Sequence, residues 1–434
     1  MNTNQLTARK TDGGLELQSI TIAGAKTVYL EMSINCLYEP SPSMREAITK
    51  LHAISLKNGT AGHDRKTWSR LVGETGSEIS INIAEGICTI SLITTGANLA
   101  QVWPLFKEML TEPLFDTKEL KRSQKILQQK CEVAKEDARQ QSINLLHQEL
   151  YLPEDVRHHP SPSDLILALR KVNATKLKRY HDEWLKTAWR VTVGGNSKTV
   201  KEVFALIADL RQNLPFSSDS LDRQPLFLTE LNNPKRIVTL DIPSKQNLEI
   251  NLGVRTAVTM QAPEFPAWLF SIAVLGRWGG FTGRLMRTVR ERDGLTYGIY
   301  AKNECLNANF SGHSRIETFF SPKDVKRGLK NTINEITRLR KQGVEKDELE
   351  HFKTIFATDF RMINDSLGRR VSHNHKRMLR GLDEEEFRDI QEKIQNLTIS
   401  EVNSVIKDNL NFATATISCV GPVNSEVRKI LETV

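Results

Sequence analysis

The chain has 434 residues, beyond the usual size of one domain, and its 39% hydrophobic and 26% charged content suits packed cores rather than disorder. A balance of 60 Lys and Arg against 52 Asp and Glu gives a net charge of +8, a mild bias toward acidic partners; these basic residues are spread over many segments, which points away from nucleic acid. No run of eighteen apolar residues occurs, so no membrane span is expected, and the opening MNTNQLTARKTDGG has no apolar stretch of a secretory signal.

In chain order, the first half opens on β-rich text, LQSITIAGAKTVYLEMSINCLY. Helices are predicted at about 43–57 and 64–75. The stretch SEISINIAEGICTISLITT alternates apolar and polar residues around Glu85-Gly86, which predicts a hairpin. Long helical segments follow over about 98–151, then shorter ones near 163–170 and 174–185. The strand WRVTVGG and a helix near 199–210 close the half. The second half repeats this order. Strands are predicted at KRIVTLDI and NLEINLGVRTA, helices at about 264–275 and 283–292, and a hairpin in LTYGIYAKNECLNANFSGHSRIETFF. Long helices are expected over 322–342 and 346–379, shorter ones near 383–395 and 399–409, then the strand ATATISCVG and a last helix at 424–433. The polar, proline-containing LPFSSDSLDRQPLF separates the halves.

Hairpins with helices between them indicate an α+β fold of two tandem homologous domains, each a largely antiparallel β-sheet covered by helices. The expected division is 1–215, a linker at 216–227, and 228–434. The five cysteines, Cys36, Cys88, Cys131, Cys305 and Cys419, lie far apart and form no C-x-x-C or Cys/His cluster in the sequence. They read as scattered thiols of a reducing compartment, so a cytoplasmic protein is expected. His373 and His375, two apart in a basic helix, read as a solvated face, and His158 and His159 as part of a structural, proline-rich loop.

The segment GGFTGRLMRTVRERDGLTYGIYA carries the densest pattern. Gly279, Gly280 and Gly283 allow a tight turn and close backbone approach, and no G-x-x-x-x-G-K-[ST] phosphate loop is present. Arg290 and Tyr297 can both donate to a carbonyl oxygen. Their bland alternative is a surface arginine and a packed tyrosine, with Tyr297 sharing a strand face with Leu295 and Ile299.

The segment as a whole resembles the C-terminal-domain signature of the pitrilysin/insulinase-type zinc metallopeptidases, which include the mitochondrial processing peptidases. Arg284, Leu285, Val289, Arg290, Glu291, Gly294, Leu295 and Tyr297 match its R-L-x-x-x-[LV]-R-E and G-L-x-Y elements. The resemblance implies that Arg290 and Tyr297 grip a substrate backbone opposite a zinc site, with the glycine loop admitting substrate. In the first half, AITKLHAISLKNGTAGHDRKTWSRLVGETGSEISI resembles the family's zinc-binding region. There, however, the H-x-x-E-H motif is absent. Its positions fall on Lys50, Ala53 and Ile54, and the distal acidic ligand is replaced by Gln129, beside Gln128. His52 and Glu132 are the remaining candidate ligands near the motif. A catalytic zinc ordinarily has three protein ligands and a water, so no metal is expected on this chain.

The resemblance thus implies an inactive peptidase homologue: the non-catalytic subunit of a heterodimeric zinc peptidase. Its partner, an H-x-x-E-H chain of the same family, supplies the zinc, and the substrate is a peptide or unfolded protein. A homodimer of the isolated chain is a further option. The alternative is a peptidase-derived binding or scaffold protein with no role in proteolysis.

Overall fold

The computed structural model describes residues 6–11, 14–217, 237–277 and 282–433, with side chains from residue 14 onward. The first half runs β1 (Leu6–Thr11), β2 (Leu15–Thr21), β3 (Thr27–Asn35), α1 (Pro42–Leu56), α2 (Arg65–Glu74), β4 (Glu78–Ala84), β5 (Ile87–Thr95), α3 (Leu99–Thr111), α4 (Thr117–Lys135), α5 (Ala138–Leu150), α6 (Pro162–Lys171), α7 (Ala174–Trp184), β6 (Trp189–Gly195) and α8 (Ser197–Gln212). The second runs β7 (Ile237–Asp241), β8 (Leu248–Arg255), α9 (Phe265–Gly276), a π-helix (Met286–Arg292), β9 (Ile299–Glu304), β10 (His313–Phe320), α10 (Val325–Gln342), α11 (Lys346–Ile363), α12 (Leu367–Leu379), α13 (Glu384–Asn396), α14 (Ile399–Asn409), β11 (Thr416–Gly421) and α15 (Ser425–Glu432).

The two sheets share one topology. The first is ordered β1-β2-β6-β3-β5-β4 and the second β7-β11-β8-β10-β9. Without β1, both follow the same order of first, fifth, second, fourth and third strand. Each has a single parallel pair, β2–β6 or β7–β11, and is otherwise antiparallel. The expected α+β fold with a repeated, largely antiparallel sheet is therefore observed. β1 is an addition that the sequence did not suggest: 6–11 pairs antiparallel with β2.

Local chemistry explains the elements. Val28, Leu30, Met32 and Ile34 are buried at the period of two of a strand with one face on a core. They join Ile90, Leu92, Phe106, Trp184 and Trp189 in the first core. The second core gathers Leu248, Ile250 and Leu252 with Trp268, Phe270, Ile316 and Phe320. Glu85 (φ 48°) and Gly86 (φ 71°) both take the left-handed region, the geometry of a two-residue hairpin turn. Side-chain caps start several helices where expected, including Asp64 on α2 and Asn173 on α7.

The chain forms two compact units, whose membership differs from the contiguous halves in two segments. The first takes 1–131, 160–226 and 363–379; the second takes 132–159, 227–362 and 380–434. Each unit thus holds a helix from the other half: α12 in the first, α5 in the second. Residues 218–227 of the expected linker lie outside the described residues.

The helix expected over 346–379 is accordingly two helices. Asn364, Asp365 and Ser366 interrupt it, and Ser366 Oγ accepts from the Arg369 N–H at 3.2 Å. Short polar side chains that bond nearby backbone favour such breaks.

α12 also corrects the reading of VSHNHKR as a solvated face. His375 is fully buried, with Nε2 2.7 Å from Ser33 Oγ and Nδ1 2.9 Å from Thr192 Oγ1. The polar side of β3 and β6 is covered by the polar side of α12. Close approach is possible because Gly194 lacks a Cβ, which would lie 2.4 Å from Val371 Cγ2. His158 and His159 do sit in a loop, with Nδ1 atoms on the Tyr151 carbonyl and Asn144 Oδ1.

Burial, then the charges of Arg190 and Lys376, hold the His375 pKa down at about 3. In the unfolded chain it returns to about 6.5, so the unfolded state binds the extra proton between these values. Stability therefore falls as pH drops below about 6.5. Between pH 7 and 5 this residue alone accounts for a loss of about 2 kcal/mol. Urea titrations at both pH values should show that difference shrinking in His375→Gln.

Candidate functional site

The segment after α9 is held by its own side chains. Gly283 has φ +111°, and a Cβ there would stand 2.9 Å from Gly276 Cα. Arg284 and Leu285 begin a helical turn that widens into the π-helix, whose i to i+5 bond runs from the Asp293 N–H to the Thr288 carbonyl at 3.2 Å. The simple α-helix expected at 283–292 is thus largely π. Leu285, Met286 and Val289 are buried in the second core. Buried Arg284 forks onto Glu348 at 3.0 and 2.7 Å and donates to the Gly343 carbonyl at 2.7 Å. Much of the signature therefore anchors the segment.

What the anchor presents is the arginine–tyrosine pair. Gly294, at φ +63°, ends the helix as its N–H donates to the Arg290 carbonyl at 3.0 Å, and the Leu295 N–H reaches the Val289 carbonyl at 3.1 Å. Tyr297 lies before β9 rather than on it, which corrects the strand placement. Leu295 and Ile299 are buried, whereas Tyr297 is 71% exposed, so the packed-tyrosine reading fails. The Arg290 guanidinium carbon stands 5.0 Å from the centre of the Tyr297 ring. A cation stacked on an exposed ring contributes about 0.5–1 kcal/mol, enough to bias the side chains toward a shared orientation. Gly279 and Gly280 lie outside the described residues.

The positions equivalent to the zinc motif are occupied by other chemistry. Lys50 is ion-paired with Glu46 one turn back on α1. Ala53 is buried, Ile54 half-buried and Gln129 exposed on α4. His52 Nε2 lies 3.0 Å from His181 Nδ1, and its ring is packed edge-on by Tyr180 and Trp184 at 5.0 and 4.7 Å. Burial, then the neighbouring His181, hold the His52 pKa well below its ordinary value. Burial likewise brings His181 down to about 4. Glu132 is exposed and pairs with Lys135 at 2.8 Å. A cationic lysine, an alanine, an isoleucine and an exposed amide do not fit a zinc ion. His181, on α7 and 129 residues from His52, was not singled out from the sequence because nothing local marks it.

Residues 171–356 match the family model described as the peptidase M16 inactive domain. A curated relative, the non-peptidase homolog YmxG of Helicobacter pylori, is 23% identical over 147 residues; the match spans 34% of this chain and only about a third (33%) of that protein. The peptidase M16 inactive domain from Pseudomonas fluorescens superposes with a TM-score of 0.82 at 20% identity, covering 97% of this chain and 98% of that one. A protease from Helicobacter pylori gives 0.81 at 14% identity, covering 96% and 99%. The periplasmic protease PqqL from Escherichia coli gives 0.77 at 12% identity, covering 98% of this chain and 46% of that one. At these identities the solved structures speak for the fold. The matched segment and the shared fold make this chain similar to the peptidase M16 inactive domain, and its sequence carries no H-x-x-E-H zinc motif.

Proposed function

We propose that this chain is the non-catalytic subunit of a two-chain zinc peptidase. In this reading an M16 partner carrying H-x-x-E-H supplies zinc and general base, and Arg290 and Tyr297 bind the peptide backbone beside them. The observation that carries the proposal is the pairing itself: a guanidinium 5.0 Å from a ring that is 71% exposed, on a segment fixed by buried Arg284 and two backbone bonds. An arginine and a phenol donor aimed at a carbonyl oxygen stabilise charge that develops there, by about 3 kcal/mol for each well-placed donor. The scaffold alternative has no use for an exposed tyrosine held in this way. Five cysteines without a disulfide support a reducing, cytoplasmic setting. Among the described residues no helix is long and apolar enough to cross a membrane.

The test is reconstitution. The chain alone should not cleave an unstructured peptide. Mixed with an H-x-x-E-H chain of the same family from the same organism, it should form a complex on size exclusion and raise cleavage above that of the partner alone. Cleavage by the isolated chain, or no complex and no gain on mixing, counts against the proposal.

A further inference from the structure

Three residues far apart in sequence meet in the second unit. His147 on α5, Cys305 just after β9 and His313, the first residue of β10, place ligand atoms within 4.8 Å of one another. This corrects the impression of widely separated, unclustered cysteines. We propose that they form a metal site of their own, for a thiophilic transition ion of the zinc type.

The groups that surround the three side chains are those a metal centre uses to orient its ligands. His147 Nδ1 lies 2.9 Å from the Arg157 carbonyl. A carbonyl only accepts, so Nδ1 carries the proton and Nε2 keeps its lone pair, the arrangement metal-bound histidines generally adopt. His313 is fully buried. Tyr151 Oη lies 2.7 Å from its Nδ1, while Nε2 has no hydrogen-bond partner and faces Glu304 Oε2 at 3.6 Å.

Cys305 adds a conformational observation. Its φ of +59° is in the left-handed region, which non-glycine residues rarely enter outside turns such as the Glu85–Gly86 hairpin. Arg157 Nη1 donates to the Cys305 carbonyl at 3.3 Å and to the Ser311 carbonyl at 2.7 Å, fixing the backbone there. Cys305 is only partly buried, which leaves a way in.

Charge narrows the choice of ion. Arg157 is neutralised by Asp155, and Arg315 by Glu304 and Glu317. Arg255, stacked on the Tyr151 ring at 4.7 Å, remains a nearby cation. A hard ion held by charge alone is disfavoured beside it. A thiolate and two imidazoles suit Zn(II) or Cu(I). In a tetrahedral zinc site the donors stand about 3.3–3.7 Å apart, so the cluster must contract by about 1 Å. Three protein ligands leave one coordination position for water or an exogenous group.

The test uses the full chain, stripped with a chelator and dialysed against Zn(II), with Co(II) as a spectroscopic probe. One zinc per chain is expected, with a near-ultraviolet thiolate-to-cobalt band on Co(II) loading. Cys305→Ser should abolish that band, and Cys305→Ser and His147→Gln should each weaken zinc binding at least about tenfold. His52→Gln, at the degenerate motif, should change neither. If wild-type protein binds no zinc, binds cobalt without a thiolate band, or loses its metal on His52→Gln, the assignment is wrong; this outcome needs no variant of the cluster to fold.

Discussion

Asp155→Ala should cost about 3–5 kcal/mol of stability, the usual effect of leaving a buried charge without its partner. The Asp155 and Arg157 side chains are 1% and 0% exposed. Arg157 donates to Asp155 from Nε at 2.9 Å and Nη2 at 2.7 Å, and its backbone N–H adds a third bond at 2.7 Å. The same guanidinium lies 4.4 Å from the centre of the Tyr151 ring and ties the 305–311 loop to the 151–159 segment. Removing the carboxylate strands all of this. The loss is large against a typical domain stability of about 5–15 kcal/mol, and urea denaturation should show a much lower midpoint. Adding Arg157→Met to Asp155→Ala should recover part of the loss, because the uncompensated charge then disappears. A double variant no more stable than the single one would mean that the carbonyl contacts of Arg157 matter more than its charge.

Gly283→Ala should be the second large effect, at about 2–4 kcal/mol, from backbone strain and steric clash together. The position combines φ +111° with a would-be Cβ 2.9 Å from Gly276 Cα and 3.1 Å from the Gly276 and Arg277 nitrogens. Every obstacle is backbone, so no side chain can swing aside, and left-handed strain adds to the clash. Arg290→Ala offers the contrast. It removes a cation stacked on an exposed ring, so its melting temperature should stay close to wild type. Thermal melts of the two variants side by side separate the residue that builds the segment from the residue it displays. A Gly283→Ala protein as stable as wild type would show that the turn can relax.

The features legible in the sequence were local ones. Alternation around Glu85-Gly86 marks a hairpin because apolar and polar residues repeat there at the period of two of paired strands. The helix predicted near 399–409 is α14, at whose start Thr398 and Glu401 form both halves of a capping box. The repeated order of elements anticipates the shared sheet topology. Long-range placements were hidden. Apolar periodicity reports one face of a helix, so it missed that the polar face of α12, with His375, is buried against Ser33 and Thr192. The exchange of α5 and α12 between units leaves no local mark beyond polar breaks such as Asn364–Ser366. The wider turn of the π-helix changes the register of the residues after it, so Tyr297 leaves the strand face on which simple alternation would have packed it. The pairs His52–His181 and His147–His313 join segments more than 100 residues apart, beyond any motif.

In the proposed complex, Arg290 and Tyr297 act on a substrate beside the partner's zinc. The experiment is steady-state peptide cleavage in a mixture of this chain with the proposed H-x-x-E-H partner, comparing wild type, Arg290→Ala and Tyr297→Phe at equal complex concentration. An about 100-fold fall in kcat/KM is expected for Arg290→Ala and a smaller one for Tyr297→Phe, with complex formation and melting temperature unchanged. Wild-type kcat/KM in both variants, in a mixture that depends on this chain for activity, would contradict it.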